Sequence, residues 1–221
     1  MTGRGIDQAL PCPAVPLLHE PYIRDAREYV KSAELRHGPI PRPLGWQYIW
    51  GDGLAALGRA DLRIINLETA VTTSDDYWPG KEIHYRMNPA NIGCLTSARI
   101  DCCCLANNHV LDWGYGGLLE TLRTLEVAGL PYCGAGRDAA AAAGPAILAG
   151  PGNARVRVYS FGAPSSGIPH SWAAGEDRPG VNFLEDLAEE TAQRAGRQIG
   201  LSQRPEDLVV ASIHWGRQLG L

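Results

Sequence analysis

Short apolar runs, each closed by a polar cluster, set the rhythm of this chain. Leu62-Arg63-Ile64-Ile65-Asn66 is rich in β-branched residues and predicts a strand, with Leu67-Glu68-Thr69 at its end. Residues 99–105 (Arg-Ile-Asp-Cys-Cys-Cys-Leu) predict a short buried strand that gives way to Ala106-Asn107-Asn108-His109. Leu208-Val209-Val210-Ala211-Ser212-Ile213 is almost wholly apolar, as strands of a parallel sheet are, and leads to His214-Trp215-Gly216. Arg155 to Phe161 alternate as a further strand, which releases the loop Gly162–Gly167. Helical patterns lie between: Ile23 to Arg36, 53–59, Gly116 to Ala128, 138–143 and 183–199. The third carries Leu118, Leu122 and Leu125 on one face and is stopped by Gly129 and Pro131. The last carries a stripe of Phe183, Leu187, Thr191, Ala195 and Ile199. This βα alternation predicts an α/β fold.

In open α/β sheets, ligands sit in the crevice beyond the carboxyl ends of the strands. Three strands here deliver reactive side chains to that end: Glu68, Asn108 with His109, and His214. Carboxylate oxygen, amide oxygen and imidazole suit a borderline cation such as manganese, iron or zinc, and histidine also moves protons near neutral pH. Each residue has a plainer alternative. Glu68 would serve as a charge at a helix N-terminus or as a solvated loop residue, Asn108 as a turn residue or helix cap, and His214 as a satisfied core histidine. Asp112 stands three residues after His109, placed either to accept a hydrogen bond from the imidazole or to cap the helix that follows. The expected geometry is convergence of Glu68, Asn108 and His214 at one end of a single sheet.

Asn-Leu-Glu at 66–68, Ala-Asn-Asn-His-x-x-Asp-x-Gly at 106–114 and Ser-Ile-His-Trp-Gly at 212–216 resemble the CapA-type poly-gamma-glutamate capsule biosynthesis family. Gly3-Arg4-Gly5-Ile6-Asp7, Lys81-x-x-His84-Tyr85-Arg86 and Gly134-Ala135-Gly136 extend the resemblance over nearly the whole chain. It implies one partial domain over 1–221 with the layered α/β/β/α sandwich of the calcineurin-like metallophosphatases, incomplete here. It further implies two divalent transition metals, with Glu68, Asn108 and His214 as ligands, His109 as general acid and Asp112 as its support. Lys81, His84 and Arg86 would hold anionic groups of the substrate. The family's opening Gly-Asp strand and its later Gly-His-x-x-His segment have no counterpart between residues 1 and 221. The expectation is a chain clipped at both ends, folding imperfectly, holding metal weakly and lacking phosphoesterase activity alone. The function implied is poly-gamma-glutamate synthesis through a dinuclear phosphoesterase- or hydrolase-like site acting on an anionic small molecule or polymer. The alternative is a non-catalytic scaffold or export partner for such a polymer.

Composition narrows the remaining choices. A chain of 221 residues with 45% apolar positions suits a single globular domain with a sizeable core. A net charge of -4 supplies no basic field for nucleic acid. No apolar run approaches the ~20 residues of a transmembrane helix, and the first residues lack a signal pattern, so a cytoplasmic protein is expected. Six cysteines show no Cys-x-x-Cys spacing, and Cys102, Cys103 and Cys104 alternate faces of a strand, which argues for free thiols. Trp46 to Asp52 is an aromatic stretch expected to pack rather than to stack on a ligand. Ser165-Ser166 lacks a nucleophile elbow, and Gly134-Ala135-Gly136 is only a fragment of a dinucleotide fingerprint.

Overall fold

The structure, a computed structural model, describes residues 2–201 and 204–216. Its helices are α1 (Gly5–Ala9), α2 (Arg27–His37), α3 (Gly53–Arg59), α4 (Gly93–Thr96), α5 (Gly114–Val127), α6 (Ala139–Ala143) and α7 (Glu189–Gly200). Its strands are β1 (Ile64–Asn66), β2 (Ala70–Val71), β3 (Arg86–Met87), β4 (Cys102–Cys104) and β5 (Tyr132–Cys133), then β6 (Ala135–Gly136), β7 (Ala146–Ala149), β8 (Arg155–Gly162), β9 (Gly180–Val181) and β10 (Leu208–His214). The fold is mixed α/β with several small sheets, and the chain divides into two interleaved compact units.

The first unit comprises Met1–Ala60, Leu67–Ile100 and His109–Gly129. Helix α5 organises it. Leu118, Leu122 and Leu125 lie on its buried face, as the sequence predicts, and Thr121 shares that face. The Thr121 hydroxyl accepts the Val71 N–H at 2.9 Å and donates back to the Gly117 carbonyl at 2.8 Å, tying β2 to the helix. Gly114 starts α5 at φ +68°, and a Cβ there would stand 2.7 Å from Asp76 Oδ2, so only glycine fits without displacement. Near the N-terminus Asp7 is buried and gathers three donors: Ala14 N–H at 2.6 Å, Asn88 N–H at 2.9 Å and Asn91 Nδ2 at 2.8 Å. Burial pushes its pKa above the usual carboxylate value, against those hydrogen bonds.

The second unit comprises Asp61–Asn66, Asp101–Asn108 and Leu130–Leu221. It contains two three-stranded sheets. One is parallel, ordered β1-β4-β5, with Asn66 opposite Cys104 and Cys104 opposite Cys133. The other is ordered β10-β8-β7, with β10 parallel and β7 antiparallel to β8. Cys102, Cys104 and Cys133 share a hydrophobic cluster with Ala146, Leu148, Val156 and Val158, so the two sheets face each other across one core. Cys133 therefore joins Cys102 and Cys104, a grouping that sequence spacing alone does not reveal. All six cysteines are free thiols.

Three expectations are corrected here. Strand β10 belongs to the second sheet, so Asn108 and His214 follow strands of different sheets rather than of a single one. It is also an edge among the described residues, with Leu208 55% and Ile213 43% exposed, instead of covered on both faces. Helix α7 starts at Glu189, six residues later than the apolar stripe predicts, and Leu187 is exposed. Asp186 explains the late start. Its carboxylate accepts the Ala188 N–H at 3.0 Å and the Thr191 hydroxyl at 2.5 Å, which fixes a turn just ahead of the helix.

Candidate functional site

The candidate residues form two clusters, one in each unit. In the first unit, buried Leu67 anchors the chain as it leaves β1, and the Thr69 N–H closes a tight turn on the Leu67 carbonyl at 3.0 Å. Glu68 stands on that turn with its side chain 26% exposed. His109 is buried, its Nε2 3.9 Å from Glu68 Oε1 and its Nδ1 2.6 Å from Asp112 Oδ2. The Asp112 N–H reaches back to the His109 carbonyl at 3.3 Å, so the three-residue spacing forms the turn that brings carboxylate to ring. Asp112 is fully buried; its Oδ2 also accepts the Tyr85 N–H at 2.7 Å, and its Oδ1 forms an ion pair with Lys81 Nζ at 2.7 Å. The Tyr85 ring lies against the imidazole with centroids 4.2 Å apart. Nδ1–H donating to Asp112 leaves Nε2 facing Glu68, which orients the ring for proton transfer at Nε2.

Lys81, His84 and Arg86 all have internal partners. Lys81 carries the ion pair with Asp112. His84 is buried, donates Nε2–H to the Trp78 carbonyl at 2.8 Å, and is held below its ordinary pKa first by burial. Arg86 is also buried, bonds the Ser74 carbonyl and Asp75 at 2.7 Å each, and lies 3.8 Å over the Trp113 ring. These three residues brace the loop between β2 and β3.

In the second unit a chain of side-chain amides ends on an imidazole. Asn107 Nδ2 donates to Asn66 Oδ1 at 3.0 Å, and Asn66 Nδ2 stands 3.5 Å from His214 Nδ1. His214 Nε2 is 3.1 Å from Asn108 Oδ1. An amide nitrogen only donates, so Nδ1 accepts from Asn66 and Nε2–H donates to Asn108. Asn66 and Asn107 enter the cluster without a sequence-level role assigned to them. The signal for Asn66 was its place as the last residue of β1. Gly134 packs beside this cluster at φ +88°, where a Cβ would fall 2.5 Å from Ser160 Cβ and 2.9 Å from Ala106 Cβ.

The donor chemistry of the pair Asn108 and His214 is compatible with a metal ion. The 3.1 Å between them in this structure is the hydrogen bond from His214 Nε2–H to Asn108 Oδ1. Among the described residues, no three or more His, Cys, Asp or Glu side chains gather so as to hold a metal. No helix among them is long and apolar enough to cross a membrane.

A mixed α/β chain with a buried histidine–aspartate pair and a separate asparagine–histidine cluster is the class of protein defined so far. Comparison with known proteins makes it specific: residues 1–220 match the family of bacterial capsule synthesis proteins designated PGA_cap, and the chain belongs to that family. A probable polyglutamine synthesis accessory protein of Mycobacterium tuberculosis is 44% identical over 223 residues, covering 100% of this chain and 59% of its own length. The capsule biosynthesis protein CapA of Bacillus anthracis is 26% identical over 142 residues, covering 62% of this chain and 32% of its own. The chain thus spans about three-fifths of the mycobacterial relative it matches.

Proposed function

We propose that this chain carries a phosphoesterase- or hydrolase-like centre serving the synthesis of a poly-gamma-glutamate-type capsule polymer, on the layered α/β/β/α sandwich that the family resemblance implies. The observation that carries the reading is the buried His109–Asp112 pair, 2.6 Å apart and flanked by Glu68. A fully buried carboxylate is costly unless it has a task or a set of partners, and Asp112 has two hydrogen-bond donors and an ion pair that fix its place. In the proposed roles His109 Nε2 gives or takes a proton at the reacting oxygen. Asp112 keeps the ring in that tautomer, and Lys81 and the Tyr85 N–H keep Asp112 in place. Asn108 and His214 would hold a divalent metal in the second unit, and Glu68 would be a metal ligand in the first. When bound, manganese, iron or zinc supplies charge stabilisation to an anionic substrate and a hydroxide at neutral pH.

The word "accessory" in the name of the mycobacterial relative favours a second reading, in which the chain is a scaffold or export partner for the anionic polymer without turnover. One experiment separates them. The full-length protein is assayed with manganese, iron and zinc for hydrolysis of a phosphomonoester, a phosphodiester and a gamma-glutamyl oligomer, beside its His109→Ala variant. Metal-stimulated hydrolysis that falls at least 100-fold in His109→Ala supports the hydrolase. Polymer binding without hydrolysis under any metal supports the scaffold.

A further inference from the structure

A concave space of about 770 Å³ opens in the first unit, bounded on one side by Tyr85, within the ~300–1,000 Å³ range of small-molecule sites. Four aromatic side chains line it, Tyr29, Tyr48, Trp50 and Tyr85, with aliphatic wall from residues such as Val30 and Ile40. Tyr48 is 47% exposed, so the aromatic stretch from Trp46 is not consumed by core packing as its sequence suggests. Trp50 is fixed by a 2.7 Å hydrogen bond from Nε1 to the Cys94 carbonyl, which makes that wall preformed.

The polar groups of the cavity are few and mostly engaged. The Arg4 guanidinium is paired with Glu20 at 2.5 Å and lies 4.3 Å over the Tyr29 ring. The Tyr29 hydroxyl also goes to Glu20, at 3.1 Å. A sugar would meet too few hydroxyl partners here, and a free anion would meet a cation already neutralised. Arg4 Nε is buried with no hydrogen-bond partner, leaving one donor for a single acceptor atom. Tyr85 is shared: its ring bounds this cavity and lies tilted against His109.

We propose that this cavity binds a neutral, planar apolar ring system of up to two or three rings, forming the organic end of an ester whose anionic end lies at His109. The inference rests on the proposed hydrolase reading for the anionic end only; the ring site stands on the cavity itself.

Calorimetric titration of the protein with 1-naphthol, 1-naphthyl phosphate and inorganic phosphate tests it. Ala33 lines the cavity from α2 and is exposed, so Ala33→Phe fills the space without burying a misfit in the core. The expected results are at least tenfold weaker 1-naphthol binding in Ala33→Phe and several-fold weaker binding in Tyr48→Ala. Ala128→Phe, in a separate apolar cavity beside Trp46, should leave it unchanged. Equal 1-naphthol affinity in wild type and Ala33→Phe overturns the ring site. Phosphate binding or turnover that vanishes while 1-naphthol binding persists leaves the ring site standing and removes the hydrolase reading. A naphthyl phosphate that binds no more tightly than naphthol overturns the link to His109.

Discussion

Replacing Asp112 with Asn probes the centre of the first unit, because three groups converge on this one carboxylate. The carboxylate is fully buried; its Oδ2 accepts from His109 Nδ1 at 2.6 Å and from the Tyr85 N–H at 2.7 Å, and its Oδ1 forms an ion pair with Lys81 Nζ at 2.7 Å. Asn keeps the size but offers one oxygen and turns an NH2 group toward donors. Separating the 2.7 Å pair with Lys81, whose side chain is 14% exposed, costs about 3–5 kcal/mol by analogy with broken buried ion pairs. One stranded N–H adds about 1–3 kcal/mol. These terms overlap, so the expected loss is roughly 3–6 kcal/mol, a large share of the ~5–15 kcal/mol that holds a domain together. Urea unfolding followed by tryptophan fluorescence reads it directly. Lys81→Met and the double variant complete the cycle, in which the double variant should lose at least 1 kcal/mol less than the sum of the singles. If Asp112→Asn costs under 1 kcal/mol, or if the two changes simply add, the carboxylate does not organise this site and the support assigned to His109 fails with it. In a catalytically competent protein, Asp112→Ala should lower kcat more than it lowers metal content.

Other outcomes follow from single features. A thiol reagent should label exposed Cys12 alone in the folded protein, since the other five thiols are buried and burial pushes Cys94 up to about 12; labelling of all six before unfolding would contradict the core described here. Hydrogen bonds from Arg155 hold the Asp207 carboxyl down to about 2, against 3.8 for the free group. A depressed pKa contributes stability above 3.8 that is lost as pH falls toward 2, so Asp207→Asn should flatten the acid limb of the stability curve in that window, as acid titration by circular dichroism would show. Leu122, fully buried on α5, should cost about 2–5 kcal/mol when cut to Ala, measured by the same urea assay. Gly114→Ala should also destabilise, since it combines a positive φ with a 2.7 Å approach to Asp76.

Much of this was legible in the chain because the relevant physics is local. The 3.6-residue period of Leu118, Leu122 and Leu125 places α5, and β-branched or apolar runs place β1, β4, β8 and β10. The turn from His109 to Asp112 is also local, a matter of three residues. What the sequence could not show depends on contacts between distant segments. Lys81 reaches Asp112 across 31 residues of chain, and the Tyr85 ring lies against His109 from the same loop as Lys81. Asn66 meets His214, 148 positions further along the chain. The apolarity of β10 reads as a central strand, yet neighbours rather than composition decide whether a strand is an edge.

The interleaving of the two units also dictates when either one can exist. The first unit needs residues up to Gly129, and the second draws on strands as far apart as β1 and β10. β1 acquires its partner β4 only after the thirty-five residues 67–101 have been added to the chain. A nascent chain stopped anywhere before Gly129 holds neither unit whole, and one stopped before Leu208 lacks an entire strand of the second. Assembly therefore waits on late-arriving segments instead of advancing from the first residue onward, which favours slow, nonlocal closure and prolongs the time that the apolar strands spend uncovered during synthesis.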